Sequence, residues 1–428
     1  VFGATFDVAT CVGAAMTAVQ AWLAWHVAAR ISMSRFTALL AFAAGLAFAY
    51  PYPALALAFA ALLVARRAVV AADVRLALAA GAVAGLSAWF RQDVGLAAAV
   101  AVAATVWTGT EGTAAARAGR AVLAGLAAAV TLALLLAPSL VESPAHVWEG
   151  LVVNPAATVP FRTSPDGAAA LLHEGWIVAV IAVLSGASGV VSLLPALRRP
   201  DASKALLVGA GVMSLWAFRY LCLRPDAHHV IPAAILAGVL GAAAMPRVGW
   251  LRLGVFALCA AAVGAAFVRA AGARAMETAG RRASGVTSLG DFVPGASSLY
   301  LPAEEAESYR RLVERVRALV PPGRAFLSAC ERHDRIHDQD LLLYFVADRP
   351  AVPFDWHFDP GVTTREDVQR RIVADCERAD VGVVVRWDGP SHGDPTGLPD
   401  GSRFLDEWIA SKFAKAETVG RYEIWTRR

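Results

Sequence analysis

The chain has 428 residues, of which 57% are hydrophobic and 17% charged, with a formal net charge of +4 and a mean hydropathy of +0.52. A soluble globule carries about 25% charged residues and a disordered chain is poor in large apolar ones, so neither class fits. The average hides a division, because 27 charged residues stand in 1–270 and 47 in the shorter stretch 271–428.

That contrast predicts a transmembrane helical domain over 1–270 and a soluble α/β domain over 271–428. The first carries a net +7 and the second −3. The basic residues of the first part sit in short loops between apolar runs, a pattern that argues against a nucleic-acid partner. About ten apolar runs follow in chain order: 8–29, 37–49, 54–65, 76–90, 94–108, 119–140, 174–195, 203–222, 230–245 and 251–269. In hydrocarbon every backbone polar group must be satisfied internally, so these runs are expected to be helices. The pairs 37–49/54–65 and 76–90/94–108 are short, either tilted helices or re-entrant hairpins. Pro51 and Pro53 interrupt the first pair.

The loops then sort by charge. One side receives most of the arginines, among them Arg30, Arg66, Arg67, Arg117, Arg120, Arg198 and Arg199. The other receives Arg91, Arg162, Arg219, Arg224 and Arg269. The positive-inside rule makes the first set cytoplasmic. Residue 1 then starts outside and 271–428 hang outside, which predicts a multi-pass protein of the cytoplasmic (inner) membrane with an extracytoplasmic C-terminal domain. The sequence shows no signal peptide, and the outer start leads us to expect a preceding helix that runs from inside to outside.

Most polar residues with chemical potential fall on the outer side. Phe90-Arg91-Gln92-Asp93-Val94-Gly95 puts a cation, an amide and a carboxylate at one hairpin tip. Arg91 can grip a phosphate through its fork, and Asp93 can either serve a ligand or simply pair with Arg91. Arg219, Arg224, Asp226, His228 and His229 gather at another outer helix end, as an anion site or as headgroup anchors. The outer loop 142–166 is long enough for a lid or for an interfacial segment. Gly81-x-x-x-Gly85 permits close helix packing.

In the soluble part, helices are expected at 303–319, 363–379 and 402–413, and strands at 324–329, 381–387, 414–419 and 421–427. Thr364 to Asp367 read as a capping box opening the second helix. The run His333 to Asp340 has the residue types of a metal site. Asp338 or Asp340 is more simply a helix N-cap, and no metal ligand is assigned. Cys330 and Cys376 could pair in an extracytoplasmic domain.

Four features together resemble the GT-C superfamily, the polytopic glycosyltransferases that use polyprenyl-phosphate sugars and include aminoarabinose transferases and protein O-mannosyltransferases. They are a Phe2-Gly3 start into a helix ending in Ala28-Ala29-Arg30, and a Gly81…Gly85-Leu86 helix ending in Arg91-Gln92-Asp93-x-Gly95. The others are Arg224-x-Asp226-x-His228, and a C-terminal domain with Leu405-Asp406-Glu407-Trp408-Ile409 and Gly420-Arg421-Tyr422-Glu423-Ile424-Trp425. The resemblance implies sugar transfer from a lipid-linked donor to a glycan, lipid or protein acceptor at the outer face, with membrane lipid as surroundings. It implies that an outer acid acts as general base and that Arg91, Arg219 and Arg224, assisted by His228, hold the leaving phosphate. In that superfamily the acid lies in the first outer loop. Here the base stays unassigned, and Asp7, the only early acid, is its one candidate. No cofactor beyond the donor is implied, and a divalent metal stays open. The rival expectations are a transporter or flippase of a lipid-linked anion and a non-catalytic membrane scaffold.

Overall fold

The structure is a computed structural model that describes residues 6–32, 38–39, 52–148, 150–151, 176–193, 201–223, 227–244, 286–291, 299–335, 337–352, 355, 357–358, 361–388 and 401–428. The chain divides into two compact units, one drawn mainly from 10–152 and 162–276, the other mainly from 277–428.

The first unit is helical. Its helices are α1 (Phe6–Ser32), α2 (Pro53–Ala71), α3 (Val74–Phe90), α4 (Gln92–Gly109), α5 (Ala114–Glu142), the short α6 (Pro144–Trp148), α7 (Trp176–Leu193), α8 (Ala202–Leu223) and α9 (Ala227–Ala244). Eight of the ten expected runs fall on these helices; 251–269 and all of 37–49 except 38–39 lie outside the described residues. Among the described residues three helices are long and apolar enough to cross a membrane: α2, α5 and Ala202–Cys222 of α8. The apolar stretches of α3, α7 and α9 are shorter than that.

Local chemistry sets the helix ends. Pro53 stands in the first turn of α2, where its missing N–H costs nothing. Asp73 caps α3 by accepting from the Arg75 N–H at 2.7 Å, and Thr113 caps α5 by accepting from Ala116 N–H at 3.2 Å. One extended residue, Arg91, separates α3 from α4. The expected tip is therefore a single-residue corner between helices of 17 and 18 residues.

Small residues let the helices close on one another. A β-carbon on Gly81 would overlap the carbonyl of Ala124, and one on Gly85 the carbonyl of Ala128. So the Gly81/Gly85 stripe of α3 seats the backbone of α5. Gly209 of α8 meets Thr105 of α4, and Gly109 meets Ala205, which places the end of α4 against the start of α8. Helix α5 packs on α3 along this stripe and also touches α4, yet most of it stays bare. Only 11% of its most apolar window is buried, against 61% for α8, and Val141 is 85% exposed. An apolar helix that bare is stable in lipid rather than in water.

The second unit is α/β. Its central sheet runs β3 (Leu327–Cys330), β6 (Val383–Trp387), β8 (Tyr422–Arg427), β7 (Phe413–Val419), with β3 parallel to β6 and the other pairs antiparallel. Alternation along the strands builds two cores. Val383, Val385 and Ile424 face helices α10 (Ala303–Leu319) and α11 (Leu341–Ala347). Val384, Leu327 and Phe413 face α12 (Glu366–Arg378) and α13 (Phe404–Lys412). Two small pairs were not expected: β1 (Val286–Ser288) with β2 (Tyr300–Pro302), and β4 (His337–Asp338) with β5 (His357–Phe358). The capping-box reading is corrected. Arg365 is the N-cap of α12 and makes no side-chain cap bond, while the Thr364 hydroxyl accepts from the Gly361 N–H at 3.0 Å. Cys330 and Cys376 are free, buried thiols, so the pairing that the sequence left open is not formed.

Candidate functional site

Four helix ends of the first unit meet around Arg91. Gln20, in the middle of α1, is fully buried, and its carbonyl oxygen accepts from the Tyr52 N–H at 2.8 Å. That bond satisfies a donor at the start of α2, where no side chain of α2 itself caps the helix. The Ser87 hydroxyl, near the end of α3, donates to the Ala54 carbonyl at 2.8 Å and ties α3 to the first turn of α2. The corner residue Arg91 then projects where α2 begins, α3 ends and α8 approaches its end.

The guanidinium is held on three sides. Its Nε–H donates to Asp93 Oδ1 at 2.9 Å, and its two terminal nitrogens donate to the hydroxyls of Tyr52 and Tyr220. It also lies over both rings, 4.5 Å from the Tyr220 centroid and 5.3 Å from that of Tyr52. Tyr220 is itself stacked on Trp216 one turn back, with centroids 5.3 Å apart. Both tyrosines are buried, whereas the side chains of Arg91 and Asp93 are 34% and 41% exposed. The cation is thus fixed from behind and open in front. Three of its five N–H groups are spent on these partners, and two can serve an anion.

Gly95, one turn into α4, is required by this corner. A β-carbon there would overlap the backbone of Ala88, so a larger residue would push α4 away from α3 and spoil the Arg91–Asp93 geometry. Gln92 is exposed in the first turn of α4. Arg219 is exposed on α8, next to Tyr220. Arg224 and Asp226 lie outside the described residues. His228 stands in the first turn of α9 and Asp7 in the first turn of α1, and the side chains of both lie outside the described residues. Of the expected site, Arg91 and Asp93 are brought together, and the intramolecular pair is real but is only one of three contacts. Tyr220 and Gln20 were missed as site residues. A lone amide in the apolar run of α1, and a tyrosine next to Arg219, were the available signals.

The histidines and aspartates between His333 and Asp340 make structural contacts. His333 Nε2 accepts from the Cys330 N–H at 3.2 Å, so its proton is on Nδ1, which donates to Asp406 Oδ1 at 2.7 Å. Burial opposes ionisation of Asp406, but the hydrogen bonds from His333 hold its carboxyl below the ordinary range. His337 Nδ1 meets the Asp338 carbonyl, and Asp338 pairs with His357. Asp340 caps α11 by accepting from the Leu343 N–H at 3.2 Å, as the simpler reading has it. No cluster of three or more metal-ligating side chains occurs among the described residues.

No protein-family model matches the chain, and no curated protein matches it closely in sequence. The functional reading therefore rests on the residues themselves.

Proposed function

We propose that the chain is a membrane glycosyltransferase that moves a sugar from a polyprenyl-phosphate donor to an acceptor hydroxyl at the outer face of the cytoplasmic membrane. One observation carries this reading: a guanidinium locked by Asp93, Tyr52 and Tyr220, yet one third exposed, at a corner that the loop charges assign to the outer face. An anion-binding cation in a rigid setting, near the level of lipid headgroups, suits a phosphate that stays attached to the membrane.

In the reaction the acceptor oxygen attacks the anomeric carbon, the carbon–oxygen bond to the phosphate breaks, and the acceptor proton passes to a carboxylate base. The base remains unassigned, with Asp7 at the start of α1 as its one candidate. Arg91 acts on the leaving side. Its free N–H groups stabilise the charge that grows on the phosphate, and its preset position removes the need to reorganise during the step. The tyrosines and Asp93 are positioning residues in this scheme. On this reading Arg219, Arg224 and His228 add cations for the donor phosphate, Asp226 adds a carboxylate for its sugar hydroxyls, and Gln92 offers an amide. The acceptor, whether glycan, lipid or protein, approaches from outside.

The test is binding of a short-chain polyprenyl-phosphate sugar to the chain in nanodiscs, beside a thermal unfolding scan. Losing a charge-assisted hydrogen bond to phosphate costs about 1.5–3 kcal/mol, roughly 10- to 150-fold in affinity. Arg91→Ala is expected to lose that much, and Arg91→Lys to regain part, since lysine lacks the planar fork. Unchanged donor affinity with a collapsed melting temperature would make Arg91 a clamp between helix ends, and the phosphate role would be withdrawn.

A further inference from the structure

The second unit holds a cavity of about 360 Å³ on the α10 side of the sheet, beside the β7–β8 hairpin. The hairpin turns on two residues, Gly420 and Arg421. Gly420 has φ +59°, and a β-carbon there would press on Ser308 of α10, so only glycine brings the turn this close. The turn delivers Arg421 to the cavity wall.

The floor is polar and tightly ordered. Asp340 Oδ2 accepts from the Tyr309 hydroxyl at 3.2 Å and from the Tyr422 hydroxyl at 3.0 Å. The rings of Tyr422 and Trp387 lie parallel with centroids 6.0 Å apart. The Arg421 guanidinium lies over the Trp387 ring at 5.1 Å, and one of its nitrogens is 3.9 Å from Glu305 across the mouth. Leu301 and Leu342 supply an apolar wall, and Glu304 adds a further carboxylate. Burial pushes the Asp340 carboxyl and the Tyr309 and Tyr422 phenols above their ordinary ranges, so both hydroxyls stay protonated donors.

The mixture of groups selects the ligand class. A phosphate would face three carboxylates, and an organic cation would face Arg421. A ring of hydroxyls both donates and accepts, so it can give protons to Glu305 and Glu304 while taking them from the Arg421 fork. Its apolar C–H face can rest on leucine and aromatic surface. Small-molecule pockets begin near 300 Å³, so the volume admits one ring and no more than a short extension. We propose that this cavity is a binding site for a single saccharide ring of low net charge, held between Glu305 and Arg421. The proposal is independent of the donor site at Arg91.

Saturation-transfer NMR on the full chain, in phosphatidylcholine nanodiscs free of glycosidic detergent, tests it. The probes are methyl mannoside, methyl galactoside, methyl glucoside, arabinose and glucosamine, with methyl phosphate and choline as comparison ligands. At least one saccharide is expected to bind, and Arg421→Ala and Glu305→Gln each to weaken it about tenfold or more, the size of a lost charge-assisted bond. Both side chains are exposed, so both variants should melt with the parent chain. Arg91→Ala should leave the saccharide signal intact. The proposal falls if no saccharide shows transfer, if both cavity variants bind like the parent, or if Arg91→Ala removes the signal. It also falls if methyl phosphate or choline, rather than a sugar, is the ligand lost in Arg421→Ala.

Discussion

Replacing Asp406 with asparagine should destabilise the second unit far more than its small change of shape suggests. Asp406 is 8% exposed and accepts twice from His333, from Nδ1–H at 2.7 Å and from the backbone N–H at 3.2 Å. Asparagine has one acceptor oxygen, so its NH2 group must face one of those donors. His333 cannot yield by changing tautomer, because its Nε2 is committed to the Cys330 N–H. Gln369 cannot shift either, since its NH2 serves the carbonyls of His333 and Ser402 and its oxygen accepts from Leu405. One charge-assisted bond is lost and a buried donor is orphaned, a cost of about 2–4 kcal/mol. In a unit of this size that lowers the melting temperature by roughly 5–15 °C. The acid behaviour should change too. The folded Asp406 titrates below its unfolded range, so its contribution is present above about pH 4 and fades as pH falls through the depressed folded value. Asp406→Asn should lack that segment of the acid profile. Thermal unfolding of the full chain between pH 2 and 7 reads both effects. A variant that melts within 2 °C of the parent, roughly the smallest loss of a kcal/mol, and follows the same acid curve would refute the reasoning.

Gly85→Val should force α3 and α5 apart, since its β-carbon meets the Ala128 carbonyl, and should cost about 1–3 kcal/mol. Gly125→Ala, where nothing stands within 4 Å, should be neutral or stabilising; equal melting of the two variants in detergent would contradict the packing account. Ala416→Cys, on the exposed face of β7, should react with a membrane-impermeant maleimide on intact cells, and protection there would overturn the outer-face reading. Cys376 should stay unlabelled in the same experiment until the chain is unfolded, because burial pushes its thiol up to about 12.

The second unit was legible in the sequence to a degree the first was not. Helix α10 repeats Ala306, Tyr309, Val313 and Val316 on its buried face with charges between them, so period 3.6 stands out and the expected 303–319 matches Ala303–Leu319. The hairpin β7–β8 was marked by Gly420 between two β-rich runs, and both strands fall within one residue of expectation. The pairs β1–β2 and β4–β5 were invisible because two or three residues show no period. The Thr364 capping box failed because Thr364 spends its hydroxyl on the Gly361 N–H, one step before the helix begins. In the first unit alanine and valine line every face, so composition reveals that a helix is there but not which side it buries.

The candidate site shows the same limit from the other direction. Arg91 and Asp93 are two residues apart, so a corner bearing both could be read from the chain. The groups that turn this pair into a fixed cation are 39 and 129 residues away, on α2 and α8. No local pattern joins Tyr52 to Tyr220. What joins them is the packing of small residues, Gly209 against Thr105 and Gly109 against Ala205, which aligns α8 with α4 at one end and so carries Tyr220 to Arg91 at the other. The glycines that look like mere composition therefore set the register on which the site depends. A β-branched residue at Gly209 would disturb the tyrosine contact without touching Arg91.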